Sequence, residues 1–162
     1  MPNVTRRVDT GKWRARYRGP DKRERTRDFD RKTDAERWRR EQLAKIDRGE
    51  WTDPTAGRVV IGDYAGEWLR GKVKLKHSTR VSYESLLQQQ VLPTWATVPL
   101  SGVRHEDVAV WVQGMHSRGL SASRTRQAYV VLSQVLDLAV KARRIPANPA
   151  RGVELPSLPS KA

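Results

Sequence analysis

The residues best suited to chemistry are a histidine and an arginine three positions apart, His77 and Arg80. This spacing places an imidazole and a guanidinium on one face of a helix, an arrangement that some strand-transfer enzymes use on a scissile phosphate. Ser78 and Thr79 lie between the two, so the stretch also fits a helix start with a basic flank. Spacing alone is weak evidence for catalysis, so we interpret the stretch as a helix start with a basic flank.

The sequence contains neither a residue pattern that would activate a nucleophile nor a cluster of metal-binding residues. The four tyrosines fall on apolar faces of the predicted elements, whereas a nucleophilic tyrosine has to project beside a phosphate in a cationic pocket. His105 and His116 have no carboxylate cluster that suggests a metal site, and no glycine-rich phosphate loop is present. Cysteine is absent, which excludes disulfides and thiolate ligands. We expect no catalysis, metal or cofactor from this chain alone.

Positive charge dominates the composition, with 32 Lys and Arg against 18 Asp and Glu and a formal net charge of +14. Residues 1–50 contain 17 basic and 10 acidic side chains, and residues 51–162 contain 15 and 8, so each part carries +7. A chain this basic indicates a polyanion partner, most often nucleic acid, and the even spread indicates contact by both parts. A well-solvated basic surface is the alternative.

No apolar run approaches the roughly 18 residues that suggest a membrane span, and the N-terminus has no apolar signal-peptide core. We therefore expect a cytoplasmic or nucleoid-associated protein without a membrane partner.

The first element that could position cations is the alternating stretch Lys12–Arg18, in which every even-numbered residue is basic and the odd-numbered ones are apolar. Turn signals at Asp9–Gly11 and Gly19–Lys22 predict a three-stranded antiparallel sheet between Val4 and Phe29. The faces of the third strand stay open, because its arginines share the parity of Phe29.

A helix is predicted after the sheet. The capping box Thr33–Glu36 marks its start, an inward apolar stripe extends to Ile46, and Gly49 ends it. This helix would cover the apolar face of the alternating strand. The opposite face then carries four adjacent cations and needs a partner.

Four further helices are predicted after a linker at residues 51–60. Their approximate ranges are 61–73, 78–92, 105–117 and 121–145. Pro93 ends the second helix, and the Ile145–Pro146 and Asn148–Pro149 pairs end the fourth, because proline lacks the amide donor. The segment that follows is extended and reads as an exit from the fold.

Two of these helices begin with hydroxyl and cationic side chains. Free amides, the positive end of the helix dipole and nearby arginines together suit a phosphate. Ordinary N-capping by Ser78 and Ser121 explains the hydroxyls as well. Capping and phosphate contact are compatible, and we predict both.

Two sets of DNA-contacting residues follow from these patterns. A sheet of this size fits the major groove of B-DNA, where arginine forks can read guanine edges. The set on the sheet is Arg7, Lys12, Arg14, Arg16, Arg18 and Lys22. The set at the helix starts is Lys76, Ser78, Thr79, Arg80, Ser121, Ser123, Arg124 and Arg126.

The order of these features resembles the phage integrases of the tyrosine recombinase family. The run LSQVLDLAVKARRIPANPARGVELP is similar to the helix that leads out of the family's core-binding domain. HSTRVSYESLLQQQVLPTW resembles the second core-binding helix, and WRARYR with TDAERW resembles the small arm-binding domain. Arg104 stands where the family often places a threonine cap.

The resemblance implies an α+β chain, with a small three-stranded sheet and helix linked to an all-α, four-helix SAM-like bundle. Residues 1–50 would bind arm-type DNA, residues 61–156 would bind core-type DNA, and residues 157–162 would lead toward a missing catalytic domain. The piece itself would then be no enzyme. Implied partners are double-stranded attachment-site DNA, other protomers in a full-length tetramer, and DNA-bending or excision accessory proteins in a bacterial host.

Two other functions stay open. A self-contained DNA-binding regulator or architectural protein would have the same basic surfaces and no catalytic domain. An RNA-binding protein would offer aromatic side chains for base stacking, whereas most Trp and Tyr here fall on predicted core stripes.

Overall fold

The computed structural model describes residues 3–160, and its chain divides into two compact units with the boundary between Asp53 and Pro54. The first contains a three-stranded antiparallel sheet and one helix, and is called the sheet unit. The described residues of the second form helices, turns and an isolated β-bridge between Val60 and Pro99, and this unit is called the helical unit. The predicted fold class is confirmed. The outermost residues of the predicted segments 1–50 and 157–162 lie outside the described range.

The sheet unit is built around its middle strand. The strands run in the order β1-β2-β3, and both neighbouring pairs are antiparallel. Their bounds are Val4–Arg6 for β1, Trp13–Arg18 for β2 and Glu24–Phe29 for β3. On β2, Ala15 and Tyr17 are buried, and the Tyr17 ring meets the Trp38 ring edge-on at 5.2 Å. The alternation therefore places one face of β2 beneath the helix, as predicted.

The helix of this unit, α1, spans Lys32–Asp47. Its N-cap is Arg31, which forms no side-chain cap, so the predicted capping box is wrong and its threonine lies inside the first turn. Glu36 instead faces Lys32 across one turn at 3.7 Å. The C-terminal prediction is confirmed, since Gly49 has a φ of +69° and its amide donates to the Ile46 carbonyl.

The segment predicted as a linker contains residues that pack into the sheet unit. Trp51 is 9% exposed, and its Nε1 donates to the Tyr17 hydroxyl at 3.1 Å. Arg25 lies over the Trp51 ring and pairs with both Asp21 and Asp53 at 2.8 Å. Trp51 and Asp53 of the predicted linker therefore contact the sheet unit, because burial of a large indole is favourable. The bounds of the linker stay a prediction.

The helices of the helical unit form four helical segments, and a π-helical turn interrupts the second of them. The helices are α2 (Ile61–Arg70), α3 (His77–Leu86), α4 (Leu92–Trp95), α5 (His105–Ser117) and α6 (Ala122–Lys141). A π-helical turn, Leu87–Val91, joins α3 to α4. Pro93 therefore lies within the second segment rather than ending it, which corrects the prediction. The wider π turn just before Pro93 relieves the clash that its ring would cause in a regular α-helix.

The bounds and buried stripe of α5 match the prediction, with Val108, Trp111, Val112 and Met115 all buried. The end of α6 does not match. The helix stops at Lys141, before either proline, and Arg143 adopts a left-handed φ of +55°. The amide of Arg144 then donates to the Ala139 carbonyl, so a backbone motif ends the helix instead of proline.

The segment after α6 folds back onto the bundle, so its interpretation as an exit is wrong up to about residue 153. Ile145, Ala150 and Val153 are buried. The Asn148 amide donates to the Ser133 carbonyl at 3.0 Å, and the Tyr129 hydroxyl donates to the Ala150 carbonyl at 2.7 Å. These bonds satisfy partly buried polar groups that a free extended segment would leave to water. Within the part of the chain described, no helix is long and apolar enough to cross a membrane.

Candidate nucleic-acid interface

The sheet presents a cationic face on the side away from α1. Because Ala15 and Tyr17 are buried under that helix, the alternate residues Arg14, Arg16 and Arg18 lie on the other face. Arginines placed beneath α1 could not contact DNA through the sheet. The structure instead leaves this face without a covering element among the described residues of the sheet unit.

Arg14 on this face already has a partner within the chain, which corrects the expectation of four unpartnered cations. Asp28 lies directly opposite on β3, accepting from Arg14 Nε at 2.7 Å and from Nη2 at 3.0 Å. Hydrogen bonds first from Arg14 and then from Arg7 lower the pKa of the Asp28 carboxyl to about 2. The pKa of the Arg14 guanidinium rises correspondingly, chiefly through the bond to Asp28.

Arg7 is the most heavily engaged residue of the predicted sheet set. Its Nη1 donates to Asp28 at 3.0 Å, and its Nε and Nη2 donate to the two carboxylate oxygens of Asp9. Bonds to both carboxylates raise the pKa of Arg7, with Asp9 the larger cause, and the bond to Arg7 lowers the pKa of Asp9. Arg7, Arg14, Asp9 and Asp28 together therefore carry no net charge.

The cations left for a ligand lie toward the other end of β2. Arg16 is half-buried, and its Nε is buried without a hydrogen-bond partner in the described chain. Arg18 and Lys22 are exposed, and Lys22 lies in the β2–β3 turn with a φ of +62°. Lys12 is 3.6 Å from Asp30, but both side chains are more than half exposed, so this pair is weak.

At the start of α3, the hydroxyl residues Ser78 and Thr79 and the side chain of Arg80 do not form one site. The N-cap is Lys76, without a side-chain cap, so capping by Ser78 is wrong because the helix begins one residue before it. Ser78 is exposed and Thr79 is half-buried. Arg80 turns back onto the end of α2, donating to the carbonyls of Lys72 at 2.9 Å and Leu69 at 3.4 Å. His77 and Arg80 therefore form no shared phosphate site here, since the arginine fork is directed at backbone.

At the start of α6, the predicted cap is confirmed. Ser121 is the N-cap, and its Oγ accepts from the Arg124 amide at 3.2 Å. The Arg124 side chain donates to the Ser85 hydroxyl of α3 at 2.9 Å. Arg126 Nε donates to the Pro156 carbonyl at 2.7 Å, and Ser123 is exposed. The arginines here are thus held by uncharged oxygens and keep their full charge.

The helices α3 and α6 run antiparallel. Arg124, near the start of α6, contacts Ser85 near the end of α3, whereas Gln134, further along α6, accepts from Lys72 just before α3. The two predicted phosphate-binding starts therefore lie at opposite ends of the helix pair. A shallow groove between α3 and α6 is lined by side chains of both helices, including Ser82, Ser123 and Arg126, and by Leu158 of the terminal segment.

Sequence reasoning missed the residues that hold the arginines in place. Asp28 could have been found from the register, since aligning Phe29 with Trp13 puts Asp28 opposite Arg14. Ser85 and the Pro156 carbonyl carry no comparable signal, because their contacts depend on the antiparallel pairing and on the returning segment.

Comparison with known proteins relates the chain to phage integrases. Residues 4–48 match the family model described as phage integrase, N-terminal domain. This part of the chain is therefore similar to the N-terminal domain of phage integrases. A putative prophage phiRv2 integrase of Mycobacterium tuberculosis is 31% identical over 153 residues, which cover 90% of this chain and 40% of that relative. The chain thus spans about 40% of the length of this curated phage integrase.

Solved integrase structures share the fold. The phage integrase SAM-like domain from Moorella thermoacetica is 26% identical with a TM-score of 0.53, covering 69% of this chain and 96% of that domain. A lambda integrase dimer bound to a COC' core site is 16% identical with a TM-score of 0.59, covering 99% of this chain and 47% of that one. At that identity, the match to lambda integrase supports the fold alone.

Proposed function

We propose that this chain is the DNA-binding portion of a site-specific tyrosine recombinase, with the sheet unit for arm-type sites and the helical unit for core-type sites of attachment DNA. The observation that carries the proposal is the open face of β2, where Arg16 and Arg18 lie side by side without a carboxylate partner among the described residues. Lambda integrase, which shares this fold, has been solved on a core site and on a Holliday junction, and by analogy we propose a DNA partner for this chain.

In the sheet unit, the proposed contact is insertion of the exposed sheet face into the major groove. A two- or three-stranded ribbon fits that groove, and guanidinium forks match guanine O6 and N7. Arg16 and Arg18, which have no carboxylate partner among the described residues, supply the cations for this contact, whereas Lys12 and Lys22 lie beyond the two ends of β2 and suit the flanking phosphates. Arg7 contributes mainly by fixing Asp28.

In the helical unit, the proposed contacts are phosphates held at the starts of α3 and α6. Lys76, Ser78 and Thr79 surround the first start, while Arg80 positions that start by bonding the end of α2. At the second start, Ser121 and Ser123 offer hydroxyls beside Arg124. Because the two starts are at opposite ends of the pair, they would contact separate phosphate runs.

Cleavage and strand exchange are assigned to a part of the parent protein outside this chain. The chain would then serve to place the parent on its attachment sites, where tethering of two DNA-binding units raises the effective concentration of each. Lambda integrase has been solved as a dimer and a tetramer, which supports assembly of the full-length protein with its own copies. Bending or excision accessory proteins would join that complex in the host cytoplasm.

Competition between nucleic acids tests the proposal. The chain is bound to a fluorescently labelled duplex DNA and challenged with unlabelled duplex DNA or with structured RNA of equal length. We expect the DNA competitor to displace the label at much lower concentration, because the sheet fits the major groove of B-DNA and cannot enter the deep, narrow groove of A-form RNA. Equal competition by RNA would contradict the proposal.

A further inference from the structure

The cluster at one end of the sheet joins all three strands of the sheet unit. Arg7 follows β1, Arg14 lies on β2 and Asp28 lies on β3, and both arginines donate to the same carboxylate. The three side chains are 25–30% exposed, so the cluster is at the surface rather than in the core. A cluster that faces the proposed DNA surface can act on the bound DNA as well as on the fold.

The geometry of the pair leaves one edge of the Arg14 fork free. Asp28 uses Nε and one hydrogen of Nη2, at 2.7 and 3.0 Å. A guanidinium has five N–H donors in a rigid plane, so Nη1 and the second hydrogen of Nη2 still form a parallel pair. No other partner of Arg14 is found among the described residues. This remaining edge has the geometry that guanine O6 and N7 accept.

We propose that Asp28 is a specificity-determining residue: its carboxylate fixes the Arg14 guanidinium so that the free edge of the fork reads a single guanine. The inference rests on the proposed DNA-binding function of the sheet unit. A free arginine loses rotamer freedom when it binds a base, whereas Arg14 is already held in place before DNA arrives. A carboxylate at a DNA surface repels phosphates, so its presence there needs a compensating role.

The pairing also explains why Arg14 and Arg16 differ in role. Arg16 carries its full charge without a carboxylate on the described chain, so it adds affinity for any duplex. The Arg14–Asp28 pair is close to neutral and adds little to non-specific attraction. The pair instead contributes to base specificity through the fixed orientation of its free N–H groups, and that specificity is lost if either residue is replaced.

The test uses the complete 162-residue chain and a duplex library with a randomised segment. Bound duplexes are recovered and sequenced for the wild type, Asp28→Asn and Arg14→Lys. We expect the wild type to enrich a motif that contains one strongly preferred guanine. In both variants the preference for that guanine should fall by at least about fivefold, since a bidentate contact discriminates by about 5- to 150-fold. Affinity for unrelated duplexes should stay equal or rise in Asp28→Asn, because a repelling charge has been removed.

The control variant is Asp21→Asn, which removes a carboxylate from Arg25 on the α1 side of the sheet. It changes the net charge and breaks a bidentate ion pair just as Asp28→Asn does, and it should leave the guanine preference intact. Thermal unfolding of each variant reports whether the sheet unit still folds.

Three results would overturn the inference. Unchanged preference at every position in Asp28→Asn would leave the proposed function standing and exclude the specificity role. A uniform loss of affinity and of preference at all positions, with a lowered melting temperature, would show that Asp28 only holds the strands together. A wild-type chain that retains no duplex at all would contradict the proposed function, and the inference with it.

Discussion

In the sheet unit the side chains of Arg14 and Arg25 are held by carboxylates, whereas in the helical unit Arg80, Arg124 and Arg126 donate to carbonyl and hydroxyl oxygens. A carboxylate fixes the guanidinium and also cancels its charge. An uncharged oxygen fixes the guanidinium and leaves its charge for a phosphate. Two ways of positioning arginine thus exist in one chain, and they predict different responses to mutation, acid and salt.

A count of cations overstates the positive field of the sheet unit. Arg7 and Arg14 are matched by Asp9 and Asp28, so the charge available to DNA lies with Arg16 and the exposed residues near it. In the helical unit the arginines at the start of α6 keep their charge beside free amides. The first unit is therefore suited to directional contacts and the second to phosphate contacts.

The largest expected effect comes from removing one unneutralised arginine from each unit. Duplexes selected from a random library by the wild-type chain should fall into two classes, one for each unit. Arg16→Ala should weaken binding to the first class, by about 1–3 kcal/mol for a base-edge contact. It should leave the second class unaffected, and Arg124→Ala should do the reverse. Fluorescence anisotropy on both classes measures this. Equal weakening of one duplex by both variants would show that the units do not divide the work.

Acid should affect the two kinds of arginine contact differently, because a carboxylate partner titrates and a carbonyl or hydroxyl partner does not. The pKa of Asp28 and that of Asp21 lie at about 2 in the folded protein, lowered from an ordinary value of 3.8 by bonds from Arg14 and Arg25. Groups with lowered pKa stabilise the fold fully above the ordinary value, and that stabilisation is lost as pH falls through the folded value. The sheet unit should therefore lose stability between about pH 4 and pH 2.

Amide hydrogen exchange measured along β2 and β3 follows this loss. Asp28→Asn should lower protection at neutral pH and flatten the dependence below pH 4, because the asparagine cannot titrate. The bond between Arg124 and the Ser85 hydroxyl has no partner that titrates in this range. Identical pH profiles for Asp28→Asn and the wild type would show that the ion pair does not stabilise the sheet.

The smallest expected effect distinguishes the starts of α3 and α6. Ser121→Ala removes the hydroxyl that caps α6 and should lower the free energy of unfolding of the helical unit by about 1 kcal/mol. Ser78→Ala is the matched change on α3, where the serine caps nothing, and should stay within about 0.5 kcal/mol. Urea unfolding monitored by helical circular dichroism measures both. Equal losses would mean that the Ser121 cap contributes no more than an ordinary surface serine.

Most of the fold could be predicted from the sequence, because its elements depend on periodicity. The alternation of β2 and the stripe of α5 are set by residues two or three to four apart, and both are found in the structure. Boundaries were less predictable where tertiary contacts decide them. Pro93 is accommodated by a π turn, and the segment after α6 is held by the amide of Asn148, neither of which leaves a local pattern.

The candidate site was predictable in its cations and not in their partners. Each arginine is visible in the sequence, but whether it is neutralised depends on a residue that the fold brings near. Asp28 is fourteen positions from Arg14, Ser85 is 39 from Arg124, and Pro156 is 30 from Arg126. Such contacts follow from strand register and helix pairing, which composition and spacing do not determine.

The most direct test of the central claim, that both units present unneutralised cations to duplex DNA, is the salt dependence of binding. Affinity of the chain for a duplex is measured by anisotropy over a series of sodium chloride concentrations. Each neutralised phosphate contributes roughly −0.9 to the slope of log affinity against log salt, so contacts from both units predict a slope of several units. Arg16→Ala and Arg124→Ala should each reduce that slope by about one. A flat response would contradict the account.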